Sequence, residues 1–190
     1  MTRKLTIALI ALLLLTAPAL ADVVRTVHSE YYTVQGTNKA EIYNDLRHNS
    51  PLNKGDDTYQ AHTRTSIRTT YKILQRGNQC QIKDVVVHLD LTYLYPKLLH
   101  SVDYETRTWW KDFYGQLEEH ELIHGEISSK AAHRLDDILE NLGPGDCGGY
   151  KNIIKVKIKQ VMDRMKQDQA AYDKLVEHGL KQDRNMGRYP

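Results

Sequence analysis

Apolar and polar positions alternate in part from Val23 to Gln35 and strictly from Thr58 to Leu74, and shift to three-and-four spacing beyond residue 100. Val23 to Gln35 is rich in Val, Thr and Tyr and predicts a strand that ends at Gly36. Thr37 or Asn38 then caps a short helix running to about His48, which Asn49-Ser50-Pro51 stops. From Thr58 to Leu74 the alternation is strict. Ala61, Thr63, Thr65, Ile67, Thr69, Tyr71 and Ile73 share one face, and His62, Arg64, Ser66, Arg68, Thr70 and Lys72 share the other. A turn at Arg76-Gly77-Asn78 leads into a second strand, Gln81 to Tyr93, so the pair predicts a β-hairpin with one face buried. Pro96 is expected to end the sheet.

The second half predicts two long helices. The first begins near Ser101 to Glu105 and runs to Leu142, where Gly143-Pro144-Gly145 terminates it. Its apolar stripe is Phe113, Leu117, Ile127, Ala131, Leu135, Ile138 and Leu142, with Trp109 and Trp110 before it as further core. The second follows Cys147-Gly148-Gly149 and reaches Val176 or so. Ile154, Ile158, Val161, Met165, Tyr172 and Leu175 form its apolar face, and a lysine- and arginine-rich face lies outside. The expected fold class is α+β: a small antiparallel sheet packed on two long helices.

The stripe of the first long helix contains His120-Glu121-Leu122-Ile123-His124. Residues four apart stand one above the other on a helix, so the two imidazoles converge on one point with Glu121 beside them. Neutral imidazole is a good zinc donor. A catalytic zinc keeps a position open for water and lowers its pKa towards neutrality, and a carboxylate outside the ligand set takes the proton. His120 and His124 are therefore the expected Zn²⁺ ligands, and Glu121 the expected general base. The extended motif with Gly and His three and six residues after the second histidine does not hold, because Ile127 and Lys130 stand there. His178 continues the buried face of the second helix, with Gly179 after it as C-cap, and is the expected third ligand. Glu140, Asp163, Asp168, Asp173 and Glu177 are the carboxylate alternatives. Tyr172 is a candidate hydrogen-bond donor to a developing oxyanion, and Asp173 a candidate to orient a ligand histidine. His62, His88 and His133 are expected to be structural or exposed.

Charge and cysteine content set the compartment. Arg3 and Lys4 precede an apolar run, Leu5 to Leu15, and the small-x-small triplet Ala19-Leu20-Ala21. Residues 1–21 thus read as a signal peptide cleaved after Ala21, and residues 22–190 as one periplasmic or secreted domain. Two of the 26 basic residues fall in that leader, so the mature chain balances its 24 acidic residues, and nothing points to nucleic acid. No later segment is apolar enough to span a membrane. Two cysteines in an exported chain, Cys80 and Cys147, predict one disulfide.

Several of these stretches together resemble a known family. They are Tyr32 to Gly36, the Cys-x-Ile strand at Cys80 to Ile82, the Trp-x-x-Phe step at Trp110 to Phe113, the H-E-x-x-H, and a closing Tyr-Asp-x-x-x-x-His-Gly at Tyr172 to Gly179. With the signal peptide and the later cysteine, the chain resembles the DUF922 family of secreted bacterial zinc-dependent proteases. The resemblance implies a zincin-like exported protein with His120, Glu121 and His124 in the catalytic motif and His178 as third ligand. Val176 stands where that pattern usually carries Thr. Two functions of different class follow: a metallopeptidase acting on peptide or protein substrates, and a non-catalytic binding or scaffold module with a structural or vestigial zinc site. Closure of the metal by a further side chain would favour the second, and an open position in a cleft beside the hairpin would favour the first.

Overall fold

A computed structural model describes residues 23–52 and 59–177 of the chain. Strand β1 (Val23–Val34) is followed by helix α1 (Lys39–Asn49), strands β2 (His62–Arg76) and β3 (Gln79–Leu98), helix α2 (Tyr104–Glu140), a two-residue strand β4 (Gly145–Asp146) and helix α3 (Cys147–Val176). The fold is α+β, as the periodicities predict.

Sheet order is β1-β3-β2, with β4 paired to the start of β3. The predicted hairpin is β2–β3, turning on Gly77-Asn78 with Arg76 opposite Gln79. Gly77 has φ +60° and Asn78 does not take positive φ, the pattern that suits a two-residue type II′ turn. The sheet is mixed, because β1 lies parallel to β3 while β2 and β4 are antiparallel to it. Parallel pairing of β1 is possible because α1 and β2 carry the chain back to the starting end of the sheet. Strand β3 also runs past Pro96 to Leu98. Its pairing with β2 ends at Leu94, so the missing N–H of Pro96 falls where that partner has already ended.

A bulge keeps the buried face of β3 continuous. Cys80 and Ile82 are buried at even positions, then Val85, Val87, Leu89, Leu91, Tyr93 and Tyr95 at odd ones. The parity changes at Asp84, whose φ is +52°, where β3 places one more residue than β2 between Thr70–Val86 and Lys72–Lys83. Lys72 pairs with Asp84 at 2.7 Å across the irregularity.

On the buried face of the sheet lies α2, and α3 packs along α2. Ile127, Ala131, Ala132, Leu135 and Leu139 of α2 meet Tyr150, Ile154, Val161, Met165, Tyr172 and Val176 of α3 in one core with β3. Val176 takes the place expected for Leu175, which is exposed. A smaller core joins Val34, Ile42 and Leu46 to Trp109, Trp110 and Phe113, so the aromatic triplet is packing, as expected. The N-terminus of α3 is anchored by the Cys80–Cys147 disulfide and by Tyr150, whose hydroxyl accepts from the Ile82 amide and donates to the Gly143 carbonyl.

Helix α3 ends in a left-handed residue, Glu177 at φ +50°, and not at a glycine cap. Gly179, His178 and residues 1–21, expected as a signal peptide, lie outside the described residues. Among the described residues no helix is long and apolar enough to cross a membrane.

Candidate metal centre

Three side chains from two helices meet at one point. Nε2 of His120 and Nε2 of His124 are 3.1 Å apart, and Oδ1 of Asp173 lies 3.4 Å from the first and 3.0 Å from the second. Helical spacing stacks the histidines on α2, and the packing of α3 along α2 supplies the carboxylate. Among the described residues this is the cluster of histidine, cysteine and acidic groups suited to a metal ion. The separations fit one: tetrahedral bonds of about 2.0–2.1 Å put neighbouring donor atoms about 3.3–3.4 Å apart.

The proton inventory points the same way. Nε2 of Gln169 donates to the carbonyl oxygen of His124 at 3.0 Å and to Oγ of Ser128 at 3.1 Å, which fixes the amide so that its Oε1 faces Nδ1 of His124. A flipped amide would set two acceptors against each other. Nδ1 of His124 is thereby the donor to Gln169, and a neutral His124 presents the bare lone pair of Nε2 to the Asp173 carboxylate and to His120. Lone pairs that converge in this way need a shared cation, either a proton or a metal ion.

Electrostatics reflect the proton alternative. Burial works to lower the His124 imidazole, yet its bonds to Asp173 and Gln169 and the charges of Asp173 and Glu121 lift it above the ordinary value. Burial would raise the Asp173 carboxyl, but the bonds and charges of the two histidines outweigh it and hold the group well below the usual carboxylate range.

Glu121 is 4 % exposed and borders the same space from the side of the sheet. Oγ1 of Thr63, on β2, donates to its Oε2 at 2.5 Å and lies 3.0 Å from its carbonyl oxygen. Two residues along β2, Thr65 bonds Ser128 at 2.7 Å, and Ser128 donates to the His124 carbonyl at 3.0 Å. The strand thus holds both the candidate base and the histidine turn of α2.

These groups line a cavity of about 450 Å³. Its walls are Leu117, His120, Glu121 and His124 of α2, Met165, Gln169 and Asp173 of α3, and residues 59–63 and Thr65 beside or within β2. Strand β2 ends the sheet order, so its outer edge has no strand beside it among the described residues.

His120, Glu121 and His124 lie together on the wall of one cavity. Asp173, expected to orient a ligand histidine and one of the carboxylate alternatives for third ligand, has its Oδ1 3.4 Å and 3.0 Å from the two Nε2 atoms. Tyr172, expected at an oxyanion, is 1 % exposed and does not line the cavity. Its ring stacks on His120 at 4.9 Å and meets His124 edge-on at 5.0 Å, behind the imidazoles, because position 172 faces α2. His88 and His133 stand apart from the cluster, whereas His62, expected to face outward, is exposed at the cavity rim. Sequence reasoning missed Thr63, Ser128 and Gln169. Gln169 left one signal, a polar residue between Met165 and Tyr172 on an otherwise apolar stripe.

A family model described as a bacterial protein of unknown function (DUF922) matches residues 29–179, from within β1 to just beyond α3. The chain belongs to the DUF922 family. The match takes in the H-E-x-x-H, both cysteines, Asp173 and the closing His178-Gly179 of this DUF922 protein. No curated protein and no solved structure matches it.

Proposed function

We propose that this DUF922 protein is an exported zinc-dependent metallopeptidase that hydrolyses peptide bonds with Glu121 as general base. The observation that carries the proposal is the convergence of the His120, His124 and Asp173 donor atoms on the wall of an accessible cavity. His120, His124 and Asp173 would hold the zinc. When bound, zinc supplies Lewis acidity and makes water acidic enough to serve as a nucleophile near neutral pH. Glu121 accepts the proton released by the attacking water and delivers it to the leaving amine. Thr63 keeps the Glu121 carboxylate turned into the cavity, and Gln169 keeps the proton of His124 on Nδ1 so that Nε2 is free to ligate. Tyr172 fixes the planes of both rings. The open edge of β2 beside the cavity suits an extended polypeptide, which would complete the backbone pairing that the sheet leaves unmade.

Purified mature protein and its Glu121→Ala variant, analysed for zinc and assayed on a diverse peptide library, test the reading. The expected result is one zinc in each and cleavage by the wild type alone. Zinc in both with cleavage by neither would replace the enzyme by the binding or scaffold module.

A further inference from the structure

Position along α3 sorts its charges. At 100° per residue, Lys151, Lys155, Lys159, Met162, Lys166, Gln169 and Asp173 fall within one arc of about 80°. The arc ends at the candidate metal centre, where Gln169 and Asp173 line the cavity. Before Asp173 it carries no acidic residue. All four lysines are exposed, and Met162 between them is half-buried against the main core. Only Lys159 of the four has an ion pair among the described residues, with Asp163 just outside the arc. The other flank of α3 carries fewer cations: Arg164, which pairs with Asp168 at 2.9 Å, and Lys157. The lysines therefore occupy the flank of the helix that opens on the cavity, and three of them have no counter-ion there.

We infer that this flank is a track for an acidic, extended polypeptide whose reactive bond lies at the metal centre. The inference rests on the hydrolytic reading for the identity of the site and names its substrate class. Lys166 lies seven residues from Asp173, about 10 Å along the helix, and Lys151 twenty-two, about 33 Å. A chain in extended form covers about 3.3 Å per residue, so the track matches about three to ten residues. Because the lysines lie on one side of the site only, Asp and Glu are favoured on one side of the reactive bond. Exposed lysines spaced a turn apart attract such a chain from solution and give the contact a marked dependence on salt.

The test uses two labelled fifteen-residue peptides, one with an Asp/Glu tract and its Asn/Gln counterpart, bound to zinc-loaded Glu121→Gln protein so that no cleavage intervenes. The acidic peptide should bind more tightly, lose that advantage in high salt, and bind about ten-fold more weakly to the Lys155→Gln/Lys159→Gln/Lys166→Gln variant. Melting of that variant should be unchanged, and with Glu121 intact it should cleave a short neutral peptide as wild type does. Equal binding of the two peptides, or an unchanged affinity in the triple variant, overturns the track. So does tighter lysine-dependent binding to vesicles containing anionic lipid than to the acidic peptide. Selective binding without cleavage of any peptide by the wild type would uphold the track and count against hydrolysis alone.

Discussion

His124 and Gln169 hold each other by two bonds: Nδ1 of the imidazole donates to the amide oxygen, and the amide nitrogen donates to the His124 carbonyl at 3.0 Å. The pair links the metal motif of α2 to α3 and decides which ring nitrogen of His124 is free. Outer partners of this kind contribute about 10–100-fold to metal affinity. Gln169→Leu should therefore weaken zinc binding within that range while leaving far-UV circular dichroism intact, as measured by competition with a chromophoric chelator. Wild-type affinity in the variant would show that the tautomer is set elsewhere.

Asp173 and His178 make competing demands as third ligand. On the proposed reading Asp173 holds the metal, so Asp173→Ala should lose zinc more severely than His178→Ala. Isothermal titration of the two variants separates them. A larger loss from His178→Ala would return Asp173 to the orienting role.

Zinc bound as proposed would compete with protons for the same three atoms. In stripped protein the depressed Asp173 carboxyl stabilises the fold above about pH 3.9, a contribution lost as pH falls through its lower folded value. The raised His124 imidazole stabilises it below about pH 6.5, a contribution lost as pH rises through its higher folded value. The pair thus supports the metal-free fold most between about pH 4 and 6.5. Zinc bound as proposed would have to displace the Nε2 proton of charged His124, so the rise in melting temperature that it gives should grow from mildly acidic to mildly alkaline pH. A rise independent of pH would remove His124 from the ligand set.

Gly125 follows the second histidine and faces β3. A Cβ there would stand 2.0 Å from Oη of Tyr93. Gly125→Ala should cost about 1–3 kcal/mol by overpacking and push the histidine turn of α2 off the sheet. Urea denaturation should show the loss, and a weaker zinc affinity should accompany it. A neutral effect on both would mean that Tyr93 swings aside freely.

The Cys80–Cys147 disulfide closes a separation of 67 residues between the start of β3 and the start of α3. In the chain-entropy model a loop of this size contributes about 4 kcal/mol. The Cys80→Ser/Cys147→Ser variant should melt about 10 °C lower. It should still bind one zinc, because Asp173 sits near the opposite end of α3. Loss of zinc with retained folding would show that the bridge sets the position of the far end of the helix.

Local pattern was enough for the elements. Period two marked β1, β2 and β3, three-and-four spacing marked α2 and α3, and four-residue spacing put His120 and His124 on one face, since each of these signals is written in neighbouring residues. The cysteine pair was legible for a similar reason, because two cysteines leave only one pairing. Tertiary structure decided what depends on partners far apart in sequence. The parallel pairing of β1 is set by which strands share the core, and the survival of β3 past Pro96 by where β2 stops. Asp173 and Tyr172 are adjacent on α3, and only the angle at which α3 meets α2 turns the carboxylate to the two Nε2 atoms and the phenol behind the rings. Gln169, Ser128 and Thr63 carry no motif, and their roles come from hydrogen bonds that span 41 to 63 residues of sequence and exist only once sheet and helices have packed.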